Sequence, residues 1–400
     1  MPLDLVKTLS DLVAIPSVNP MGRPLSGPEY FEHRVTQHLE RFFDSLGLKW
    51  QRQTVHPAQD GNPARENILA RLDGDTPPDK GGPLILFEAH QDTVPVDGMT
   101  IEPWTPTVRE GRIYGRGSCD IKGGMTAMLG ALTRLAEERP AGMPTIVMAC
   151  TVNEEHGYTG ATALKNLWAP GASTIVPRKP DAAVVAEPTS LNVVIAHKGA
   201  LRWRCHTTGR ATHSSQPHLG DNAIYKMARV IEAFEAYHRE FVPTLPKHRL
   251  CGGATLSVGT IQGGLSVNTV PDHCTIEIDR RMIPGEQWAG VFKQITDFIA
   301  SRIDFPIVHD DPYMKGSTLG EGANAAVADR MAEAARSVIG RCDQVGVPYG
   351  TDASTIAASG VPSIVFGPGS IDQAHTCDEW LPLEELELAS EALYQFACRG

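Results

Sequence analysis

The sequence lacks the features that mark several common classes of protein. None of its eight cysteines forms a Cys-x-x-Cys pair, which argues against a zinc ribbon or a thioredoxin motif, and eight cysteines in 400 residues are too few for a disulfide scaffold. No apolar run reaches the ~18 residues that a membrane helix requires. The N-terminal residues also lack the basic start and apolar stretch of a secretory signal. We therefore expect a cytoplasmic protein with reduced thiols and no membrane partner.

Basic charge is scarce as well. The chain has 36 Lys and Arg residues against 47 Asp and Glu residues, a formal net charge of -11. A protein that binds nucleic acid needs a basic field that attracts phosphate, so we expect no nucleic-acid partner. The glycine cluster of residues 115–124 has the spacing of neither a dinucleotide fingerprint nor a P-loop, which argues against an oxidoreductase with a dinucleotide cofactor.

What the chain does contain is a set of short apolar runs, each followed by polar or glycine-rich residues. They cover residues 84–87, 145–152, 181–186 and 364–366, and a helix-like segment spans residues 125–138. Continuous apolar strands that alternate with helices are typical of a parallel sheet with helices on both faces. The pattern predicts an α/β fold with a mostly parallel mixed sheet sandwiched by helices. Ligands in such folds bind beyond the carboxyl ends of the strands.

Residues 198–310 have a different pattern. Segments such as 201–207 and 273–281 alternate apolar and polar residues as half-buried strands do, and helix-like runs occur between the strands. We expect this region to form an α+β domain inserted into the first domain, which would consist of residues 1–197 and 311–400.

Several histidines and carboxylates follow the predicted strands. A histidine two residues before an aspartate, as in His90 and Asp92, can bind a metal ion while the aspartate holds the other ring nitrogen, although this spacing also occurs in purely structural positions. The adjacent Glu154 and Glu155 repel each other. A divalent cation removes that cost when one carboxylate binds it and the other accepts a proton from water. For this pair alone, an exposed turn is the alternative.

Two imidazoles and three carboxylates fall together at one predicted edge of the sheet, namely His90, Asp120, Glu155, Glu187 and His375. This set suits two divalent ions bridged by one carboxylate. Imidazole ligands favour zinc or cobalt, and carboxylates also admit manganese. The sequence therefore predicts a site for two divalent metal ions, with zinc favoured.

Stretches distributed along the whole chain carry a further similarity. They are LVAIPSVNPMG, EAHQDTVPV, GRGSCDIKGG, TVNEEHGYTGA, AEPT, IAHKG, GRATHSSQPHLGDNAI, GGLSVNTVPDHC, GTDAS and FGPGSIDQAHTCDEW. In them the chain resembles the M20 metallopeptidases, the group of acetylornithine deacetylase, succinyl-diaminopimelate desuccinylase, aminoacylase and glutamate carboxypeptidase. The resemblance implies a zinc-aminopeptidase-like catalytic domain with an inserted lid and dimerisation domain.

The resemblance also implies which residues bind each metal ion. One ion would be bound by His90 and Glu187, and the other by Glu155 and His375. Asp120 would bridge the two ions, and the peptide bond after it is commonly cis in the family.

Two further roles in the catalytic domain follow from the same resemblance. Asp92 would orient the histidine at position 90, and Glu154 would be the general base. Where the family usually has an aspartate before the glutamate pair, this chain has Asn153. Because that neighbour is not a ligand, we expect the metal site to be retained.

The inserted region resembles the lid of the family. His213 matches the lid histidine that reaches the active site of a partner subunit and stabilises an oxyanion, and a histidine on a surface loop is the alternative. Asn268 and Arg281 match positions that contact substrate. Arg281 suits a planar carboxylate because its guanidinium can donate two parallel hydrogen bonds. The adjacent Arg280 is easily confused with it, but Arg281 lies three residues before Pro284, as the family's arginine does.

The resemblance implies a small-molecule substrate and a homodimer formed through the lid. Gly367 and Gly369 would offer backbone groups to an N-acylated amino acid. Water would attack the amide bond of this substrate with help from the metal ions. The FGPGSIDQAH stretch favours an acetylornithine deacetylase. A succinyl-diaminopimelate desuccinylase, a general aminoacylase and a dipeptidase or glutamate carboxypeptidase of the same family stay open. A noncatalytic protein on this fold would lack a ligand or the base, and the sequence lacks neither.

Overall fold

The computed structural model describes residues 3–399 of the chain. These residues form nine α-helices: α1 (Leu5–Val13), α2 (His33–Ser45), α3 (Lys122–Glu138), α4 (Thr159–Leu164), α5 (Ala223–Ala236), α6 (Trp288–Ala300), α7 (Ala325–Ile339), α8 (Asp352–Ala358) and α9 (Leu383–Cys398). They also form sixteen strands: β1 (Lys49–His56), β2 (Arg65–Leu72), β3 (Leu84–His90), β4 (Thr107–Arg109), β5 (Arg112–Tyr114), β6 (Thr145–Thr151), β7 (Ala182–Val185), β8 (Val193–His197), β9 (Gly199–Thr208), β10 (Thr255–Gly263), β11 (His273–Met282), β12 (Val308–His309), β13 (Met314–Lys315), β14 (Gln344–Val347), β15 (Ser363–Val365) and β16 (Trp380–Pro382).

Eight of the strands form one sheet in the order β1-β2-β6-β3-β7-β15-β8-β14. At its centre, β6, β3, β7 and β15 are parallel to one another, whereas β2 and β8 pair antiparallel with the outer strands of this group. The four central strands are the predicted apolar runs. Every residue of β3 and β6 is buried, as expected of strands covered on both faces. The carboxyl ends of these four strands therefore meet at one edge of the sheet.

Helices pack against this sheet. The structure therefore confirms the predicted α/β fold. α1 and α9 pack against α3, and α2 packs against β2. α3 begins at Lys122, three residues before its predicted start, and so also includes Gly123 and Gly124. A Cβ at Gly123 would lie 2.5 Å from the Ser118 carbonyl oxygen and from Cδ2 of Leu381. The glycine is therefore required by close packing, and it does not end the helix.

The described residues divide into two compact units. The first comprises the described residues of 1–195, 321–345 and 351–400, and the second comprises Ala196–Gly320 and Gly346–Gly350. The second unit extends past the predicted boundaries 198–310, in part because β13 pairs with β9. The roles of the two units as catalytic and lid domains stay a prediction.

The second unit is an α+β structure built on a sheet in the order β10-β11-β9-β12. Successive residues of β11 alternate between buried and more exposed positions, so one face of the sheet is apolar. Its core contains Trp203, Phe234 and Ile295, from β9, α5 and α6. Asn222 caps the N-terminus of α5, because its side chain accepts hydrogen bonds from the N–H groups of Ile224 and Tyr225.

No helix within residues 3–399 combines the length and the apolar character needed to cross a bilayer. The cytoplasmic location stays a prediction.

Candidate metal centre

The carboxyl edge of the four parallel strands brings together the predicted ligands of the first unit. His90 is the last residue of β3, and its register partner on β6 is Thr151, which precedes Glu154 and Glu155 by a short turn. Glu187 follows β7 in the same way. Glu154 is only 8% exposed and the Glu155 side chain only 7%. The glutamate pair is therefore not an exposed turn.

Asp120 lies between two imidazoles. Its Oδ1 is 3.2 Å from Nε2 of His90, and its Oδ2 is 3.2 Å from Nε2 of His375. The same nitrogen of His375 is 3.4 Å from Oε2 of Glu155. Each oxygen of one carboxylate thus faces a different imidazole, as expected of a ligand shared between two metal ions. The peptide bond after Asp120 is cis, as the resemblance implies.

The potential ligand atoms form two overlapping groups. Those of His90, Glu154 and Glu187 lie within 4.8 Å of one another, and so do those of His90, Asp120 and Glu155. The first group contains the residue predicted to be the base. Glu154 is therefore placed where it could act as the base or as a further ligand, and the metal content of a Glu154→Gln variant distinguishes the two roles.

Burial and mutual repulsion perturb the protonation of these groups. Burial, and then the charge of Glu187, raises the pKa of Glu154 well above its ordinary value. Burial and the charge of Asp120 likewise raise the pKa of Glu155. Burial alone would lower the pKa of His375, but hydrogen bonds with Asp120 and Glu155 raise it to about 11. Without another cation, the site can be neutralised only by protons, and a divalent ion would replace them.

A second, independent observation also indicates that these residues suit divalent metal ions. Oε1 of Glu155 is buried and has no hydrogen-bond partner in the described part of the chain. Leaving a buried acceptor unpaired costs roughly 1–3 kcal/mol, and more for a charged group. A bound cation would remove this cost. The imidazole nitrogens and carboxylate oxygens present are the ligands that zinc, cobalt and manganese take.

Asp92 holds the turn that carries the glutamate pair. Its carboxylate accepts hydrogen bonds from the N–H groups of Glu154 at 3.1 Å and Glu155 at 3.2 Å, and from Nδ2 of Asn19 at 2.7 Å. Nδ1 of His90 lies 2.9 Å from the carbonyl oxygen of Asp92 and 3.7 Å from its carboxylate. In this geometry the main-chain carbonyl of Asp92 is the group that contacts the His90 ring, as a residue that orients His90 would. The carboxylate of Asp92 positions the two glutamates.

Asn19 and Asn153 extend this network, and sequence reasoning gave Asn19 no role. Oδ1 of Asn153 accepts hydrogen bonds from Nδ2 of Asn19 at 2.9 Å and from Arg65 at 2.8 Å. Nδ2 of Asn153 donates to Oγ1 of Thr159 at 2.9 Å. One amide thus both accepts and donates, which an ionised aspartate cannot do. The signal that could have found Asn19 was its place in the LVAIPSVNPMG stretch.

The N–H groups of the glycine loop after β15 already have partners within the first unit. Gly367 N–H donates to Oγ1 of Thr189 at 3.1 Å, and Gly369 N–H donates to Oε2 of Glu385 at 2.8 Å. Their carbonyl oxygens have partners as well, because Gly367 accepts from Leu191 N–H at 3.1 Å and Gly369 accepts from Ser190 N–H at 2.7 Å. Substrate binding by the two glycines stays a prediction.

The second unit contains the other predicted site residues. His213 and Asn268 lie on adjoining loops, because Ser214 N–H donates to the Asn268 carbonyl oxygen at 3.0 Å. Nδ1 of the exposed His213 accepts a hydrogen bond from Ser215 N–H at 3.2 Å. Nδ1 thus faces its own loop, and Nε2 is the ring nitrogen that could reach an oxyanion.

The two neighbouring arginines of β11 have different environments. The Arg280 side chain is completely buried and pairs with Glu286 at 2.7 Å. The Arg281 side chain is 28% exposed and pairs with Asp279 at 2.8 Å. Since successive side chains of a strand point to opposite faces, only one of the two can present its guanidinium to a ligand. The difference in exposure favours Arg281.

Comparisons with known proteins agree with this geometry. Residues 86–399 match the model of peptidase family M20/M25/M40. A probable succinyl-diaminopimelate desuccinylase of Staphylococcus aureus is 27% identical over 402 residues, which cover 90% of this chain and 92% of that protein. An acetylornithine deacetylase of Proteus mirabilis is 29% identical over 405 residues, which cover 98% of this chain and 95% of that protein.

Solved structures share the fold. The structure of a dinuclear metal-binding peptidase of the M20 family from Bacillus subtilis covers 99% of this chain and 96% of its own, with a TM-score of 0.67 and 16% identity. The family match extends over most of the chain and includes every predicted metal ligand. The chain therefore belongs to the M20/M25/M40 peptidase family and is a metal-dependent amide hydrolase.

Proposed function

We propose that this hydrolase cleaves the N-acyl amide of an N-acylated amino acid and that it is most similar in activity to an acetylornithine deacetylase. The observation that carries the proposal is the position of Asp120, whose two carboxylate oxygens each lie 3.2 Å from a different imidazole. A shared carboxylate between two histidines is suited to two adjacent divalent ions. Amide hydrolysis by water is a reaction that such a pair of ions supports.

Each ion has its own ligands in this proposal. One would be held by His90 and Glu187, the other by Glu155 and His375, and both by Asp120. Zinc is favoured, and cobalt or manganese would fit the same donors. When bound, the ions supply Lewis-acid activation of water and of the acyl carbonyl.

Glu154 is the proposed general base and acid. It removes a proton from the attacking water and returns that proton to the leaving amine. Two features support this role. Its carboxyl group lies within 4.8 Å of the ligand atoms of His90 and Glu187, and the residue is buried beside them.

Residues of the second unit would bind the substrate. Arg281 would hold the free carboxylate of the amino-acid half with paired hydrogen bonds. Asn268 would contact the substrate near the reacting amide, and His213 would donate from Nε2 to the developing oxyanion. These roles come from the resemblance, and the exposure of Arg281 and the contact of His213 Nδ1 with its own loop support them.

A hydrolysis screen with metal-replete protein tests the substrate. It compares N-acetylornithine, succinyl-diaminopimelate, neutral N-acyl amino acids and dipeptides, and measures kcat/KM for each. We expect the highest value for N-acetylornithine and no hydrolysis after removal of metal with a chelator. Succinyl-diaminopimelate is the second candidate, because the relative from Staphylococcus aureus carries that name at 27% identity. Fastest cleavage of a dipeptide would contradict a deacylase function.

We further propose a homodimer formed through the second unit. A groove of about 820 Å³ there is lined in part by Tyr225, Leu265 and Val267, which are 74%, 96% and 101% exposed. Exposed apolar patches of this kind mark protein interaction sites. The occupant we propose is the same surface of a second copy, so that His213 of each subunit serves the site of the other.

Light scattering tests this interface. The wild-type chain should have twice the 43.2 kDa mass of one chain. Replacing both Leu265 and Val267 with aspartate should give a monomer with little activity, because two charges would be buried without partners. A matched control is Val108→Asp, which changes a valine that is 50% exposed in the first unit and should leave the dimer intact. A wild-type protein that is only monomeric would exclude the interface.

A further inference from the structure

Glu379 is a wholly buried residue whose carboxylate is surrounded by the loop that carries Asp120. Its Oε1 accepts hydrogen bonds from the N–H groups of Cys119 at 2.8 Å and Asp120 at 3.0 Å. Its Oε2 accepts from Gly117 N–H at 3.1 Å and from Nη1 of Arg116 at 2.6 Å. One carboxylate therefore receives four hydrogen bonds, and three of them come from the main chain of a single loop.

Arg116 connects this loop to the segment that carries His375. The arginine is only 2% exposed. Besides its bond to Glu379, its Nη2 donates to the carbonyl oxygens of Pro95 at 3.2 Å and Thr376 at 3.3 Å. Thr376 directly follows His375 in the chain. The ion pair thus ties together the two segments whose side chains meet where Nε2 of His375 lies 3.2 Å from Oδ2 of Asp120.

We propose that Glu379 and Arg116 are positioning residues that hold Asp120 and His375 at the separation required to share a metal ion. This inference rests on the proposed metal site. Both carboxylate oxygens of Glu379 are occupied by donors, so it acts through the loop and not on the ion itself. One of its hydrogen bonds reaches the main-chain N–H of Asp120, so the position of that proposed ligand depends on the Glu379 carboxylate.

The test is a titration of metal-free protein with Co²⁺, followed by its visible absorption spectrum. In Glu379→Gln, an amide NH₂ replaces one oxygen and must face an N–H or guanidinium donor. Replacing a residue that contacts a metal ligand, but not the metal itself, typically changes the affinity for the metal 10–100-fold. We expect Co²⁺ binding to weaken by roughly that factor, the spectrum to shift, and kcat to fall while KM changes little.

Two further variants make the test specific. Glu391→Gln weakens one of the two ion pairs of Arg134, the pair at 2.5 Å that joins α3 to α9 and does not touch the ligand loops. It should bind Co²⁺ as the wild type does. Arg116→Lys keeps the positive charge but cannot reach Glu379 and Thr376 with a forked guanidinium. It should show the same spectral shift, and it decides the question if Glu379→Gln does not fold.

The outcomes are distinguishable from those of the metal site itself. The positioning role would be overturned if Glu379→Gln and Arg116→Lys both bound Co²⁺ with wild-type affinity and gave the wild-type spectrum. The same weakening in Glu391→Gln would also overturn it, because any lost ion pair would then have the effect. A wild-type protein that binds no Co²⁺ would instead overturn the proposed function on which the inference rests.

Discussion

Replacing Glu154 with glutamine is expected to lower kcat about 10³-fold while leaving the metal content unchanged. A general base contributes 10²–10⁴-fold in typical enzymes, and glutamine keeps the shape of the side chain but cannot accept the proton. The backbone of residue 154 still donates to Asp92 at 3.1 Å, so the turn should persist. The measurements are kcat with the best substrate of the screen and metal content by elemental analysis.

The adjacent residue offers a matched control. Glu155→Gln makes the same chemical change one position along the chain, at a proposed ligand that lies 3.4 Å from His375. It should lose affinity for one ion. Turnover near that of the wild type in Glu154→Gln would exclude the base. Loss of metal in Glu154→Gln would make the residue a ligand, as its proximity to His90 and Glu187 permits.

Asp120→Asn is expected to weaken binding of both metal ions and to remove measurable activity. Asparagine has the same shape, but it offers one neutral oxygen where the aspartate presents an anionic oxygen to each imidazole. The affinity loss should exceed the roughly 10- to 100-fold cost of removing a residue one step from the metal. Calorimetric titration of metal-free protein measures the number of ions bound and the affinity of each.

Glu187→Gln is the control for this prediction. It removes a proposed ligand of one ion only, so one binding event should survive with nearly wild-type affinity. Two unchanged binding events in Asp120→Asn would show that Asp120 is not shared between ions. Loss of both events in Glu187→Gln would mean that the two sites cannot be filled independently.

The sequence predicted the strands and helices that produce a recognisable pattern in a short stretch of residues. β3 and β6 could be found because both of their faces are buried, so that apolar residues follow one another in residues 84–87 and 146–150. The polar residues that follow such runs had to lie at one edge once the strands were parallel. This geometric rule, and not any single motif, predicted that His90, Glu155 and Glu187 lie close together.

Other parts of the site had no local signal. Glu379 binds main-chain N–H groups, and any sequence has such groups, so no pattern of side chains marks the residues that pair with it. The Asp92 carboxylate likewise acts on main-chain N–H groups of residues 154 and 155. The start of α3 was misplaced because glycine usually interrupts helices, whereas close packing at Gly123 requires it.

The strand order of the central sheet has a consequence for biosynthesis. β15 lies between β7 and β8, yet β8 ends at His197 and β15 begins only at Ser363. At a synthesis rate of 5–20 residues per second, the ribosome needs roughly 10–30 s to supply the missing strand. During that time the facing edges of β7 and β8 expose unpaired N–H and C=O groups, which can pair with foreign strands. His375, the most C-terminal of the proposed ligands, follows β15 in the chain, so the proposed metal site can be complete only after this strand has been made.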